Sequence, residues 1–157
     1  MKLSTRGRYG LRAMIDIAQY SGIQTVSISD ICKRQSISES YLEQIIAVLK
    51  KSGLLVSKRG AGGGYLLTRP MEEISVGDIL RALEGGLEPV ECPALKEESG
   101  CRSADTCVTK YVWKRINDSI NDTVDKIMLS ELVDTSIKVS DNRNESNSDR
   151  ECCKKQS

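Results

Sequence analysis

The chain has 157 residues, which at roughly 150 residues per domain allows one compact unit with a short remainder and excludes a large multidomain enzyme. It contains no His and no Phe, so Ser-His-Asp and Cys-His catalysis, histidine zinc sites and an imidazole pH switch are closed to it. The net charge of +1 hides a polarity: residues 1–69 carry 11 Lys/Arg against 4 Asp/Glu and residues 70–157 carry 12 against 18, so a basic half that suits a polyanion precedes an acidic remainder.

Met1 to Arg8 holds basic residues with no apolar block behind them, which predicts neither a signal peptide nor a membrane anchor and makes the cytoplasm the expected compartment. Apolar runs are only a few residues long, so no membrane partner is expected. In that setting the six cysteines read as metal ligands or redox sensors before they read as disulfides.

From about Arg6 to Tyr20 the residues Tyr9, Ala13, Met14, Ile17 and Ala18 recur at helical spacing, with Gly22 as a stop. Arg6, Arg8 and Arg12 on this helix form either a solvated face or a set of phosphate contacts. Ser27 with Asp30 three residues on predicts a capped helix to about Arg34, and Gln35-Ser36-Ile37 breaks it. Ser38 then caps a longer helix to Lys51, with Tyr41, Leu42, Ile45, Ile46 and Leu49 on one stripe and Gly53 closing it. A short helix, a turn and a longer helix make a helix-turn-helix, whose second helix enters the major groove.

Leu54 to Arg59 reads as a strand, Gly60-Ala61-Gly62-Gly63-Gly64 as a turn, and Tyr65 to Thr68 as the returning strand of a two-stranded wing, ended by Pro70. The same glycines resemble a phosphate loop, but no Lys-Ser/Thr follows and no helix succeeds the turn, so a nucleotide site fails on its flanks. Ser75 to Leu83 is another short helix, with Gly85-Gly86 ending it. Residues 88–107 form a loop rich in Pro, Gly, Ser and acids. From Thr109 to about Met128 the residues Tyr111, Val112, Ile116, Ile120, Val124 and Ile127 share one stripe, followed by one or two helical turns to Ile137. A stripe of that kind is most economically covered by a second copy across a two-fold axis. Beyond Val139 almost nothing is apolar, which predicts disorder.

The expected fold class is mainly α with a small β-hairpin wing: a winged helix-turn-helix over 1–87, a cysteine-bearing loop over 88–108, a dimerisation helix region over 109–138 and a disordered polar tail over 139–157.

Such a unit meets duplex DNA by gripping phosphates with cations and reading base edges from the recognition helix. Ser38, Ser40, Tyr41, Glu43 and Gln44 open that helix; Glu43 can accept from a cytosine amino group and Gln44 can pair with adenine. The plainer alternative makes Ser38 only a cap and Tyr41 in part a core residue. Lys58, Arg59 and Gly60 lead into a turn thin enough for a minor groove, or else form a solvated hairpin tip. Arg8 on the first helix completes the candidate footprint.

Cys92, Cys101 and Cys107 follow the pattern Cys-x8-Cys-x5-Cys in a polar loop, where thiolates bind zinc or iron–sulfur clusters and where packing alone does not explain them. Lys96, Arg102 and Lys110 favour the thiolate form. No Cys-x2-Cys pair accompanies them, which leaves a structural zinc site poorly supported. Cys32 reads as a core residue, and Cys152 and Cys153 as free thiols of the tail.

Leu3 to Met14 (LSTRGRYGLRAM), Ser38 to Gln44 (SESYLEQ), Arg59 to Leu67 (RGAGGGYLL), Ser75 to Leu80 (SVGDIL) and the cysteine loop followed by Val108-Thr109 and Trp113 resemble the Rrf2 family of bacterial transcription regulators over about residues 1–136, and within it the iron–sulfur, IscR-like branch. The resemblance implies a homodimer with one winged helix per subunit on a pseudo-palindromic DNA operator. It further implies an iron–sulfur cluster, 2Fe–2S ahead of 4Fe–4S, whose presence or damage changes which promoters are bound, with Cys92, Cys101 and Cys107 at the cluster positions. Two features depart from the pattern. The first cysteine gap is longer by about three residues, which a flexible loop absorbs. Lys110 stands where that branch has a histidine ligand, so the fourth ligand must be a carboxylate, a tail cysteine, a residue of the partner subunit or water. Two alternatives remain: a cluster-free member that regulates cysteine metabolism through a protein partner, and a thiol-disulfide oxidoreductase, which explains neither the wing nor the charge polarity.

Overall fold

The computed structural model describes residues 3–21, 24–92, 101–103 and 105–152, with side chains as far as Asp141. Gly22, Lys96 and Cys153, each given a role by the sequence, lie outside the described residues, as does the side chain of Cys152.

Helix α1 (Thr5–Ser21) turns Ala13, Met14 and Ile17 inward, all fully buried. Helix α2 (Ile28–Gln35) starts at Ser27, whose side chain accepts from Asp30 N at 3.1 Å, and stops at Ser36, which adopts the left-handed region with φ 54°. Helix α3 (Glu39–Lys51) buries Leu42, Ile45, Ile46 and Leu49. Strands β1 (Leu55–Lys58) and β2 (Gly64–Leu67) pair antiparallel, with Leu55 opposite Leu67 and Lys58 opposite Gly64. A 3-10 turn at Met71–Glu73, which the sequence reading passed over, leads into α4 (Val76–Glu84). There Ser75 and Asp78 form a reciprocal cap, each side chain accepting from the other's backbone N–H. Helices α5 (Val108–Lys126) and α6 (Leu129–Cys152) complete the chain. The architecture is the predicted one: mainly helical, with a two-stranded wing.

One core joins α1, α2, α3, the hairpin, α4 and the start of α6. A smaller cluster of Val76, Leu80 and Leu87 receives Ile120, Val124 and Ile127 of α5. Each fully buried aliphatic side chain stabilises this core by about 1.5–3 kcal/mol relative to leaving it in water.

The segments 1–87 and 109–138 meet in the fold: Leu129 and Val133 of α6 are buried in the main core with α1, and Val76 N→Ile127 O (2.9 Å) and Leu129 N→Ile74 O (2.8 Å) stitch the break between α5 and α6 onto the entry to α4. The backbone of α6 is helical to Cys152, past residue 139 from which the sequence predicts disorder. No Gly or Pro occurs after Gly100, so nothing in the chain stops the helical hydrogen-bond ladder once α6 has begun.

Candidate nucleic-acid interface and cysteine segment

Helix α3 presents Ser40, Glu43 and Gln44 to solvent from the face opposite its buried leucines and isoleucines, and Ser38 is exposed at its start. Ser38 has N-cap backbone geometry but its hydroxyl makes no cap hydrogen bond, which corrects the purely structural role and leaves that hydroxyl for another acceptor or donor. Tyr41 is half-buried, its ring meeting Tyr9 edge to face with centroids 6.1 Å apart. The start of α1 lies alongside: Ser4, Thr5, Arg6, Tyr41, Gln44, Ile45 and Val48 line an open depression of about 540 Å³ between the two helices.

The three arginines of α1 divide. Arg6 and Arg8 are exposed, with the Arg8 guanidinium 6.0 Å from the Tyr9 ring centre. Arg12, also exposed, is engaged by the fold: it donates to Gln35 Oε1 (3.0 Å) and to the Gln35 carbonyl (2.8 Å), satisfying an orphan acceptor at the end of α2.

That turn is further held by Asp16, only 3% exposed, which sequence reasoning did not single out. Its carboxylate accepts from Arg34 Nε and Nη2, the latter at 2.6 Å, and from Gln35 Nε2 at 2.9 Å. The Asp16 hydrogen bond raises the Arg34 pKa above its already high value, and the guanidinium lies 4.4 Å from the Tyr20 ring centre. The helix-turn-helix angle is therefore set by charge-assisted, bidentate contacts from α1. An acid on the buried stripe of α1 was the available signal.

The wing carries Lys58, Arg59 and Gly60 on its exposed tip. Gly60 (φ 107°) and Gly62 (φ 74°) occupy positive-φ conformations that an L side chain rarely adopts, and Gly63 N→Gly60 O closes the turn at 2.8 Å. Behind the tip the hairpin is anchored twice. Val26 and Tyr65 exchange backbone hydrogen bonds of 3.1 and 2.9 Å, and Lys50 at the end of α3 donates to Ser57 Oγ at 2.9 Å while lying 5.9 Å from the Tyr65 ring centre. The wing and the recognition helix are thus one rigid surface.

Cys92, Cys101 and Cys107 are free and half-exposed. Cys107 precedes α5, with Thr109 Oγ1 3.1 Å from its sulfur; that hydroxyl, then the Lys110 backbone, lower the thiol's pKa below its ordinary value. Cys32 is raised instead, by desolvation first and then by Glu39 and Glu43, so it is the inert thiol of the set. Among the described residues these side chains are not gathered into a group that holds a metal ion. Three thiols within sixteen residues are soft donors that suit a metal centre and make up three of the four ligands an iron–sulfur cluster takes. Downstream, Val108, Tyr111, Val112 and Ile116 of α5 are exposed, at 76%, 69%, 50% and 39%, while the rest of the stripe packs on α4. No helix among the described residues is long and apolar enough to cross a membrane.

Comparison with known proteins places this geometry. Residues 3–135 match the model of the Rrf2 family, described as an iron-dependent transcriptional regulator. The HTH-type transcriptional regulator IscR of Pectobacterium carotovorum is 41% identical over 133 residues, covering 85% of this chain and 79% of that protein. Among solved structures, T. potens IscR superposes with a TM-score of 0.70 at 45% identity, over 87% of this chain and 88% of its own. CymR, the global cysteine regulator of B. subtilis, superposes with a TM-score of 0.71 at 38% identity, over 86% of this chain and 98% of its own. The chain is an IscR-like, DNA-binding winged-helix transcription regulator rather than an enzyme, and it belongs to the Rrf2 family.

Proposed function

We propose that the protein is a cytoplasmic homodimer that grips a two-fold DNA operator and adjusts that grip to the state of an iron–sulfur cluster held by Cys92, Cys101 and Cys107. The observation that supports it is three free thiols in the segment before α5, Cys107 immediately ahead of the helix, whose leading apolar face stands uncovered. A second copy of the chain covers that face with its own, which gives a closed isologous pair. Two wings and two recognition helices then address successive major grooves, with spacing set by α5.

In each subunit Ser38, Ser40, Tyr41, Glu43 and Gln44 read the major groove, Arg8 takes phosphate, and Lys58, Arg59 and Gly60 enter the adjacent minor groove. The cluster, 2Fe–2S ahead of 4Fe–4S, supplies a centre that reacts with oxidants and nitric oxide and is lost when iron is scarce. Cys107 enters this set as a thiol already biased toward the anion. Lys110, in the place of the branch's histidine, is a poor ligand while protonated, so the fourth position falls to a carboxylate, a tail cysteine, a partner residue or water. A coupling of about 1–3 kcal/mol, roughly 5- to 150-fold in operator affinity, suffices for regulation.

The test is anaerobic purification followed by iron and sulfide supplementation. Visible absorption with stoichiometric iron, lost in Cys92→Ala, is the expected result; colourless, iron-free protein indistinguishable from Cys92→Ala removes the sensor and leaves the DNA-binding regulator. A cluster-free regulator of cysteine metabolism that works through a protein partner is the second reading, favoured by the structural likeness to CymR. Iron analysis separates the two.

A further inference from the structure

Helix α4 holds both halves of the molecule through two side chains one turn apart. Arg81 donates to Asn121 Oδ1 at 3.0 Å and to Asp125 Oδ1, joining α4 to the helix that begins just after Cys107. Glu84, the last residue of α4, accepts at a single carboxylate oxygen from both Ser4 N (3.2 Å) and Ser4 Oγ (2.7 Å). Ser4 Oγ in turn accepts from Gly7 N at 3.2 Å, so the first turn of α1 is organised around that carboxylate. The fit is close: a Cβ at the buried Gly7 would lie 2.2 Å from Glu84 Oε1, so a side chain there would displace the Glu84 carboxylate.

The turn so held carries the DNA-facing cations. Arg6 and Arg8 are exposed on it, and Ser4, Thr5 and Arg6 share the depression with Tyr41 and Gln44 of the recognition helix. A negative group at a helix start is favourable, so the carboxylate both fixes and stabilises the turn. The nine-residue α4 is stiff enough to act as one body. A shift of α5 felt at Arg81 is therefore delivered three residues on, at Glu84, and from there to Ser4. Coupling of this kind needs a contiguous chain of packed elements whose arrangement both ends bias.

We propose that Glu84 is a positioning residue: through Ser4 it sets how the start of α1 meets DNA, and because it shares α4 with Arg81 it does so in step with α5 and the thiol at its head. This rests on the DNA footprint and cysteine ligation proposed above. It assigns Glu84 no contact with DNA or with a cluster.

The experiment compares wild type, Glu84→Ala, Glu84→Gln and Ser4→Ala, each cluster-free and after anaerobic loading with ferrous iron and sulfide. The DNA probe is a duplex selected by the wild type from a random pool, and amide hydrogen exchange reports on residues 5–8. Glu84→Ala and Ser4→Ala are expected to speed exchange at residues 5–8 and to bring the ratio of loaded to cluster-free affinity, about 5-fold or more in the wild type, below about 2-fold. Glu84→Gln, which keeps an oxygen for Ser4, restores most of the ratio. A merely structural prop weakens both states equally and preserves the ratio, and that result overturns the proposal. Should Glu84→Ala fail to fold, Ser4→Ala removes only one hydroxyl and decides the matter alone. Should the wild type take up no cluster, the sensing reading fails separately, and zinc ion is loaded on the thiols instead. A zinc-induced change in exchange at residues 5–8 that Ser4→Ala abolishes then supports the role of Glu84, and no change in the wild type overturns it.

Discussion

Glu43 and Arg59 lie at two ends of the proposed footprint, and their chemistry demands different behaviour. Glu43 is acidic on a surface that meets phosphates, so its presence is tolerable only opposite a base donor and costly elsewhere. Glu43→Ala is expected to change which duplexes are preferred, by about 1–3 kcal/mol at the base pair it faces. Arg59→Ala is expected to weaken all duplexes alike and to reduce the salt slope by about 1. Titrations against a panel of single-base variants at several salt concentrations check both, and equal effects across every sequence from both variants contradict the assignment. Asp16 belongs to the same scale. Removing its carboxylate strands the Arg34 guanidinium and Gln35 amide, but Arg34 is one-third exposed and recovers water. Asp16→Ala should therefore cost about 2–3 kcal/mol, the low end for breaking a buried pair, measured by urea denaturation. The partners of Asp16 lie 18 and 19 residues away, a separation that periodicity does not report. A lone acid on an apolar stripe was visible in the sequence; its partners were not. Likewise Arg12 shared the pattern of Arg6 and Arg8, and only the approach of α2 gives it Gln35 as a partner.

At the level of elements, local chemistry carried the most information. Ser27 and Ser75 cap their helices because a hydroxyl three residues before a free N–H needs no distant partner. Ser38 has the same local pattern and stands at the N-cap of α3, but its side chain makes no cap bond. The end of α5 near Met128 was legible in its apolar stripe, whereas the 24 residues of α6 were read only as one or two turns to Ile137. What stops α5 there is the pairing of Ser75 with Met128, a tertiary contact. Leu129 is fully buried beside α1, so Leu129→Ala is expected to destabilise the whole winged helix by about 2–5 kcal/mol in one cooperative transition. A separate, early transition of α5 and α6 would show instead that they form an independent unit. For the uncovered face of α5, Val112→Glu places a charge in the proposed two-fold contact. Sedimentation is expected to show monomers for this variant and dimers for the wild type, with the far-ultraviolet circular dichroism unchanged.

At the scale of the molecule, the polarity of charge was legible from the outset and has a structural counterpart: the basic half builds α1 to the wing, where the proposed DNA-contacting residues lie, and the acidic half holds five of the six cysteines and α5. The place of α6 in the main core was not legible, because a linear division into segments cannot show that α6 returns to pack against α1. The proposed sensor has a route to the proposed reading surface through α4, on which Ile120, Val124 and Ile127 of α5 pack and which itself shares the main core with α1. The most direct measurement is the operator-binding isotherm of anaerobically prepared protein before and after iron is stripped with a chelator, with Cys92→Ala treated in parallel. A shift of about 5-fold or more in the wild type and none in Cys92→Ala is expected. Superimposable isotherms for the wild type, with and without iron, would contradict the claim that thiol-held iron governs the grip on DNA.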